Sequence, residues 1–228
     1  MPIDPNSDIR ITAFDWVPDF ARGQVRDLRV RWALEEAGRS YRVRTLSAMA
    51  ERPADYYAEQ PFGQVPSYRD GTVELFESGA IVLHIGETSD ALLPIDAQGR
   101  ARAMAWSFAA LNSVEPFVMQ LGTIDIFEKD AEWARLRRPG VIEMIDKRLL
   151  RLSDALGERD YFEDRFTAGD LLMTSVLRNL DGKGLVESYP NLAAWKARCE
   201  ERPAFVAALA AQLADFRDAP ASVSGEQP

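Results

Sequence analysis

Glu77 and Ser78 stand at the head of an apolar-periodic run, Ala80, Ile81, Val82, Leu83 and Ile85, that reads as a helix. The N–H groups of its first turn, with the Ser78 hydroxyl, make a site for a carboxylate. Shortly before them, Val65-Pro66 follows a Pro61-Phe62-Gly63-Gln64 turn. Proline forces the residue before it into an extended conformation. If the bond is cis, the Val65 N–H and C=O turn outward to face a ligand. Taken together, these residues can hold a small extended peptide. The plainer alternative for the same stretch is a hairpin and helix with a trans proline.

The elements that must position these groups follow from the pattern. Ser67-Tyr68-Arg69 and Thr72–Phe76 flank Asp70-Gly71, a strong hairpin signal. Upstream, Ile9–Trp16 reads as a first strand, Arg22–Ala37 as a helix stopped by Gly38, and Tyr41–Leu46 as a second strand. Two strands joined by a helix imply a parallel pair with a right-handed crossover. Residues 47–60 are irregular, with one short helix after Pro53.

Beyond Glu87 the composition changes. Residues 89–99 carry turn residues and a proline and read as a linker. The rest is helical in pattern: 100–128 kinked at Pro116, then 139–157, 167–180, 190–201 and 203–214. The expected organisation is an α/β domain over 9–88 and an all-α domain over 100–214, with flexible ends at 1–8 and 215–228. Phe166-Thr167-Ala168-Gly169-Asp170-Leu171 fits a capping box with flanking staple residues, a structural motif in which the cap contributes about 1 kcal/mol.

A formal charge of −9 argues against nucleic acid and anionic membrane as main partners. No run reaches the apolar length of a membrane span, and the N-terminus lacks a signal-peptide pattern. The single cysteine, Cys199, cannot form an internal disulfide, which fits a cytoplasmic protein. One cysteine and one histidine, His84, make no metal cluster, so no metal is expected. His84 reads as a core or helix-face residue and Cys199 as a buried small one.

These residues resemble the cytosolic glutathione transferase superfamily over about residues 9–214. The resemblance is carried by Arg29-Val30-Arg31 through Ala33-Leu34-Glu35-Glu36-Ala37-Gly38, by Gln64-Val65-Pro66, by Glu77-Ser78, and by Phe166-Thr167 with Asp170. It implies a thioredoxin-like N-terminal domain, a helical C-terminal domain and a homodimer with a glutathione site in each subunit. It further implies that Val65 pairs its backbone with the cysteinyl unit beside a cis Pro66, and that Gln64 hydrogen-bonds the peptide. Ser78 would take the γ-glutamyl carboxylate and Glu77 its ammonium. The physical reading agrees: an extended tripeptide needs a strand edge, an anion site and an acidic partner.

The chemistry departs from the pattern. A glutathione thiol with a pKa of roughly 8.5 is only a few per cent ionised at neutral pH, and lowering that pKa by about two takes roughly 2.7 kcal/mol of preferential thiolate stabilisation. The family usually supplies this with a Tyr, Ser or Cys near the end of the first strand or the start of the first helix. Here the serine or cysteine slot falls on Gln24 and the tyrosine slot on Pro18, and Phe14–Trp32 contains no Ser, Thr, Tyr or Cys. The remaining donors are Arg22, the Gln24 side chain, the Trp16 indole and backbone N–H groups at the helix start. Arg22 is the best of them, because a guanidinium favours a neighbouring thiolate. Trp16, Phe20, Trp106 and Phe108 are candidates for an apolar second-substrate pocket, against the alternative that they are core.

The leading expectation is a detoxification-type glutathione transferase acting on a small, largely apolar electrophile. A glutathione-dependent peroxide or disulfide reductase and a non-catalytic binding protein of the same fold are the alternatives.

Overall fold

The computed structural model of the chain describes residues 3–218. The chain divides into two compact units, one formed by the described residues of Met1–Ser89 and Pro203–Pro228, the other by Asp90–Arg202.

In the first unit, β1 (Arg10–Phe14) is followed by α1 (Asp27–Glu36), β2 (Arg42–Leu46), the single turn α2 (Tyr56–Glu59), β3 (Ser67–Arg69), β4 (Glu74–Phe76) and α3 (Ser78–Gly86). The strands form one sheet in the order β2-β1-β3-β4. β1 and β2 are parallel, with Ile11 opposite Val43, and the other pairs are antiparallel. This is the thioredoxin-like arrangement that the resemblance implies. Ile11, Thr12 and Ala13 are all buried, so β1 is covered on both faces, as a central strand next to a parallel neighbour should be. Asp70-Gly71 closes the β3–β4 hairpin as expected: the Asp70 N–H reaches the Val73 carbonyl at 3.2 Å and Gly71 takes a φ of 88°, which a side chain would resist.

The first helix begins later than its pattern suggests. Gly23 has a φ of 77°, outside the right-handed helical region, so 22–26 form turns and α1 starts only at Asp27. The last helix of this unit, packed on α1, spans Pro203–Asp215 and is numbered α9 in chain order. Trp32 and Phe205 meet edge to face at 4.8 Å. Fully buried Arg31 holds Asp27 at 2.8 Å and Asp215 at 2.5 Å, and the Gln212 amide donates to Asp27 at 2.7 Å. A buried ion pair costs desolvation, which the bonds to Gln212 and Asp215 offset in part, while Arg31 Nη1 and Gln212 Oε1 keep no hydrogen-bond partner among the described residues.

Residues 3–8, expected as a loose lead-in, instead run beside the start of β2: Ile3 bridges Tyr41 and the Asp4 N–H reaches the Tyr41 carbonyl at 2.9 Å. Past α9, the Arg217 N–H donates to the Asp15 carbonyl at 2.8 Å. The remainder of the two expected flexible ends, residues 1–2 and 219–228, lies outside the described residues.

The second unit contains α4 (Ala97–Phe108), α5 (Glu115–Gly122), α6 (Glu132–Leu156), α7 (Ala168–Leu177) and α8 (Pro190–Glu200). The stretch that reads as a linker is partly built in. Leu92 and Leu93 are buried, the Leu92 carbonyl accepts the Ala168 N–H at 2.8 Å, and Asp96 caps α4 by accepting the Gly99 N–H at 2.7 Å. The expected kink at Pro116 is realised as a π-helical segment, Ala109–Val114, with the proline following in the first turn of α5. α6 runs through Pro139, which the sequence places at a helix start. An interior proline costs about 3 kcal/mol. The stripe of buried Ala134, Val141, Ile145, Leu149, Leu152 and Leu156 crosses it at helical spacing and offsets that cost by burial.

The capping box forms as its sequence indicates. Thr167 accepts the Gly169 N–H at 3.2 Å and Asp170 accepts the Thr167 N–H at 3.0 Å. Asp170 does more than cap, because it also accepts the Phe162 N–H at 3.1 Å and the Trp195 indole N–H at 3.0 Å. Phe162 in turn stacks on Trp106 and meets Trp195 edge to face. Burial pushes the Asp170 carboxyl up, and its donors oppose that rise. Replacing Asp170 with Ala strands these buried donors. At about 1–3 kcal/mol each, the expected loss is at least roughly 3 kcal/mol, read from chemical denaturation; a loss below about 1 kcal/mol would contradict this role.

Candidate functional site

The Gln64–Pro66 segment is held from below by a chain of buried hydroxyls. The Tyr56 hydroxyl donates to the Gln64 carbonyl at 2.6 Å. Thr12 Oγ1 lies 2.9 Å from Tyr56 Oη and 3.1 Å from Ser67 Oγ, and accepts the Ser67 N–H at 2.7 Å. Ser67 Oγ donates to Glu59 at 3.1 Å, and Glu59 also pairs with Arg10 and Arg44, each at 2.8 Å. With the Tyr56 proton on Gln64 and the Ser67 proton on Glu59, the Thr12 proton serves a neighbouring hydroxyl, so each hydroxyl hydrogen has an acceptor. Burial raises the Tyr56 phenol above its ordinary value and keeps it a donor. Gln60, itself buried, accepts the Phe62 and Gln64 N–H groups at 2.7 and 3.2 Å.

The Gln64 N–H and C=O on one side of the Val65-Pro66 step, and the Ser67 N–H and hydroxyl on the other, are therefore engaged; the step itself is cis. Among the described residues, the Val65 N–H and C=O have no hydrogen-bond partner. The Val65 side chain packs with Leu46 and Tyr56, and Phe14 and Val25 pack against that cluster. The loop between β1 and α1 thus meets the Val65 segment through Val25.

Ser78 is the first residue of α3 and is buried, whereas Glu77 before it is exposed. Behind Ser78 lies Arg29 of α1, 4% exposed, whose Nη1 donates to Ser78 Oγ at 3.3 Å. Glu77 takes a φ of 70°, a region that disfavours side chains and costs about 1–3 kcal/mol. A glycine would avoid that cost, and a carboxylate stands there instead.

The other candidates fall as follows. Arg22 is half-buried, with its guanidinium 5.2 Å from the centre of the Phe216 ring. Trp16 is half-buried and Phe20 exposed, both in the first unit. In the second unit, Phe108 is exposed, while Trp106 is committed locally: its indole donates to Glu163 at 2.7 Å and its ring stacks on Phe162 at 4.4 Å. Cys199 is fully buried, and burial pushes its thiol up, away from the thiolate. Among the described residues no group of His, Cys, Asp and Glu is placed to hold a metal ion, and no helix is long and apolar enough to cross a membrane. Sequence reasoning missed Thr12, Tyr56, Ser67 and Arg29 as parts of the site. None of the first three carries a motif of its own: Thr12 and Ser67 lie in expected strands and Tyr56 in the stretch that reads as irregular.

His84 has the helix-face role its spacing suggests. Its Nε2 lies 3.0 Å from Asp70 Oδ2, tying α3 to the hairpin turn, and its ring meets Tyr68 edge to face. Asp70 also accepts from the Thr72 and Val73 N–H groups. Burial opposes ionisation of Asp70, but the hydrogen bonds from His84, Val73 and Thr72 outweigh it and hold the carboxyl well below its usual range. A lowered folded-state pKa contributes stability above the unfolded value of about 3.9 and loses it as the pH falls toward the folded value. The destabilisation caused by Asp70→Asn, followed by thermal unfolding, is thus expected in full at neutral pH and to shrink below about pH 4. An equal effect at about pH 3 and pH 7 would refute this assignment.

Comparison with known proteins agrees with this geometry. The family profile described as "Glutathione S-transferase, N-terminal domain" matches residues 20–87. A glutathione S-transferase of Hyoscyamus muticus is 32% identical over 166 residues, 65% of this chain and 75% of that protein. Glutathione S-transferase 3 of Zea mays is 30% identical over 208 residues, covering 81% of this chain and 88% of that protein. Among solved structures, a glutathione transferase family member from Pseudomonas fluorescens pf-5, described with two glutathione bound, superposes with a TM-score of 0.77. It is 23% identical, and the match covers 88% of this chain and 92% of that one; at this identity it shows a shared fold. The two plant relatives and the profile over the candidate site converge on one assignment. The chain belongs to the glutathione S-transferase family.

Proposed function

We propose that this protein binds glutathione along Gln64-Val65-Pro66 and Glu77-Ser78 and, as a homodimer, transfers its thiolate to a small, largely apolar electrophile. The observation that carries this reading is the Val65 N–H and C=O, unpaired among the described residues, in a chain whose nearby Ser78 sits at a helix start against a buried arginine. A strand-like pairing with the cysteinyl unit satisfies both Val65 groups at once, and backbone left unpaired in a buried segment is otherwise costly. Ser78 takes the γ-glutamyl carboxylate, Glu77 the ammonium, and Gln64 adds a polar contact to the peptide.

Arg22 is assigned the thiolate. Its charge, next to the sulfur, lowers the thiol pKa directly, and it does not need the proton chemistry of a hydroxyl. Trp16 and Phe20 are proposed to meet the apolar electrophile, and Trp106 is committed within its own unit. In the reaction the thiolate forms a carbon–sulfur bond at the electrophilic carbon while the bond to the leaving group breaks and the leaving group departs with its electron pair.

A second reading is glutathione-dependent reduction of a disulfide, favoured by the Pseudomonas fluorescens neighbour described with two glutathione bound. Because Cys199 is buried, both electrons would come from two glutathiones, which end as glutathione disulfide while the substrate disulfide becomes two thiols. Assays with an aryl halide, a hydroperoxide and a low-molecular-weight disulfide separate the two readings.

The mechanism is tested by titrating the thiol of bound glutathione through its thiolate absorbance. It is expected to ionise about two pH units below free glutathione, and Arg22→Gln to return it at least about one unit toward the free value with roughly a tenfold loss of kcat. A bound thiol that titrates like free glutathione removes the transferase mechanism, and no binding at millimolar glutathione leaves a non-catalytic scaffold.

A further inference from the structure

We infer that Phe216 is a positioning residue for Arg22: the strap Asp215–Arg217, fastened on either side of it, sets the Phe216 ring against the guanidinium and holds that charge for the glutathione sulfur. The inference deepens the proposed function and rests on its assignment of the thiolate to Arg22. Three consecutive residues of one unit each find a partner in α1 or in the chain that leads from β1 to it. Asp215 pairs with the fully buried Arg31 at 2.5 Å. The Arg217 N–H donates to the Asp15 carbonyl at 2.8 Å. Between these two anchors Phe216 is half-buried, and Arg22 Cζ lies over its ring, 5.2 Å from the centre. An aromatic face attracts a cation within about 6 Å.

The kind of partner matters as much as its place. A carboxylate beside Arg22 would cancel its charge and occupy its donors, leaving little for a thiolate. The carboxylates of the strap and of its anchor are engaged elsewhere, Asp215 with Arg31 and Asp15 with Arg217 at 3.8 Å. Among the described residues the Arg22 guanidinium makes no hydrogen bond and no ion pair. An aromatic ring has a quadrupole but no net charge, so it attracts the guanidinium without neutralising it. The backbone alone holds Arg22 weakly, because Gly23 has a φ of 77° and α1 starts only at Asp27. Arginine carries large rotamer freedom, and a side chain already held by a ring loses less of it when the thiolate arrives.

The test titrates the thiol of glutathione bound to the native full chain and to its Phe216→Leu, Phe216→Tyr, Arg22→Gln and Arg22→Gln/Phe216→Leu variants. For each, kcat and KM toward an aryl halide are measured at about pH 6 and about pH 9. Phe216→Leu is expected to raise the pKa of the bound thiol by about half a unit and to lower kcat roughly two- to fivefold at about pH 6. KM for glutathione should hold, and the loss should vanish at about pH 9, where the bound thiol is ionised in both proteins. Phe216→Tyr keeps the ring and should keep the native profile. In the Arg22→Gln background, Phe216→Leu should change nothing further. A Phe216→Leu protein with the native profile, or with a loss that is equal at both pH values or persists without Arg22, overturns the inference alone. So does a Phe216→Tyr protein that shares the loss. Phe216→Met takes the place of Phe216→Leu should that variant fail to fold, with the same outcomes. If Arg22→Gln leaves the bound thiol unmoved, the assignment of the thiolate to Arg22 falls, and this inference with it.

Discussion

The site depends on the hydrogen-bond chain that runs from Glu59 through Ser67, Thr12 and Tyr56 to the Gln64 carbonyl. It joins β1, α2 and β3 through side-chain hydroxyls, and it is buried, where a broken member would leave a costly unsatisfied group. Its ends determine its direction: the carboxylate of Glu59, balanced by Arg10 and Arg44, can only accept, and so can the Gln64 carbonyl. The chain occupies polar groups on each side of the Val65-Pro66 step. It leaves the Val65 N–H and C=O between them without a partner among the described residues.

Buried charge is used in two different ways along α1. Arg31, with Asp27, Asp215 and Gln212, fastens α9 to α1, so residues distant in sequence close the same unit. Arg29, two positions earlier, donates to the Ser78 hydroxyl at the start of α3. In the proposed function, binding and chemistry fall on separate segments. The proposed peptide anchor lies between Gln64 and Ser78, whereas the proposed thiolate stabilisation falls to the turns before α1, where Gly23 keeps the chain out of the helix and Arg22 rests against Phe216. The two segments meet through packing of Val25 on the Val65 cluster.

Local chemistry is readable from the chain and distant pairing is not. Asp70-Gly71 marks the hairpin and Thr167 with Asp170 the capping box, because each works within a few residues. The late start of α1 turns on a single positive φ at Gly23, which carries no pattern of its own. Pro139 suggests a helix start, but the buried stripe on either side of it outweighs the lost hydrogen bond. The second role of Asp170, holding Phe162 and Trp195, and the hydroxyl chain from Thr12 to Ser67 join residues separated in sequence. Periodicity cannot show such pairs, since they depend on which faces meet after folding. The same holds for α9, whose apolar pattern gives no hint that Trp32 is its partner.

The most direct measurement is a crystal structure of the protein with glutathione bound. The cysteinyl unit is expected to exchange backbone hydrogen bonds with the Val65 N–H and C=O, with the γ-glutamyl carboxylate on Ser78 and its ammonium toward Glu77. A tripeptide bound with the Val65 backbone still unpaired, or with its carboxylate away from Ser78, would contradict it.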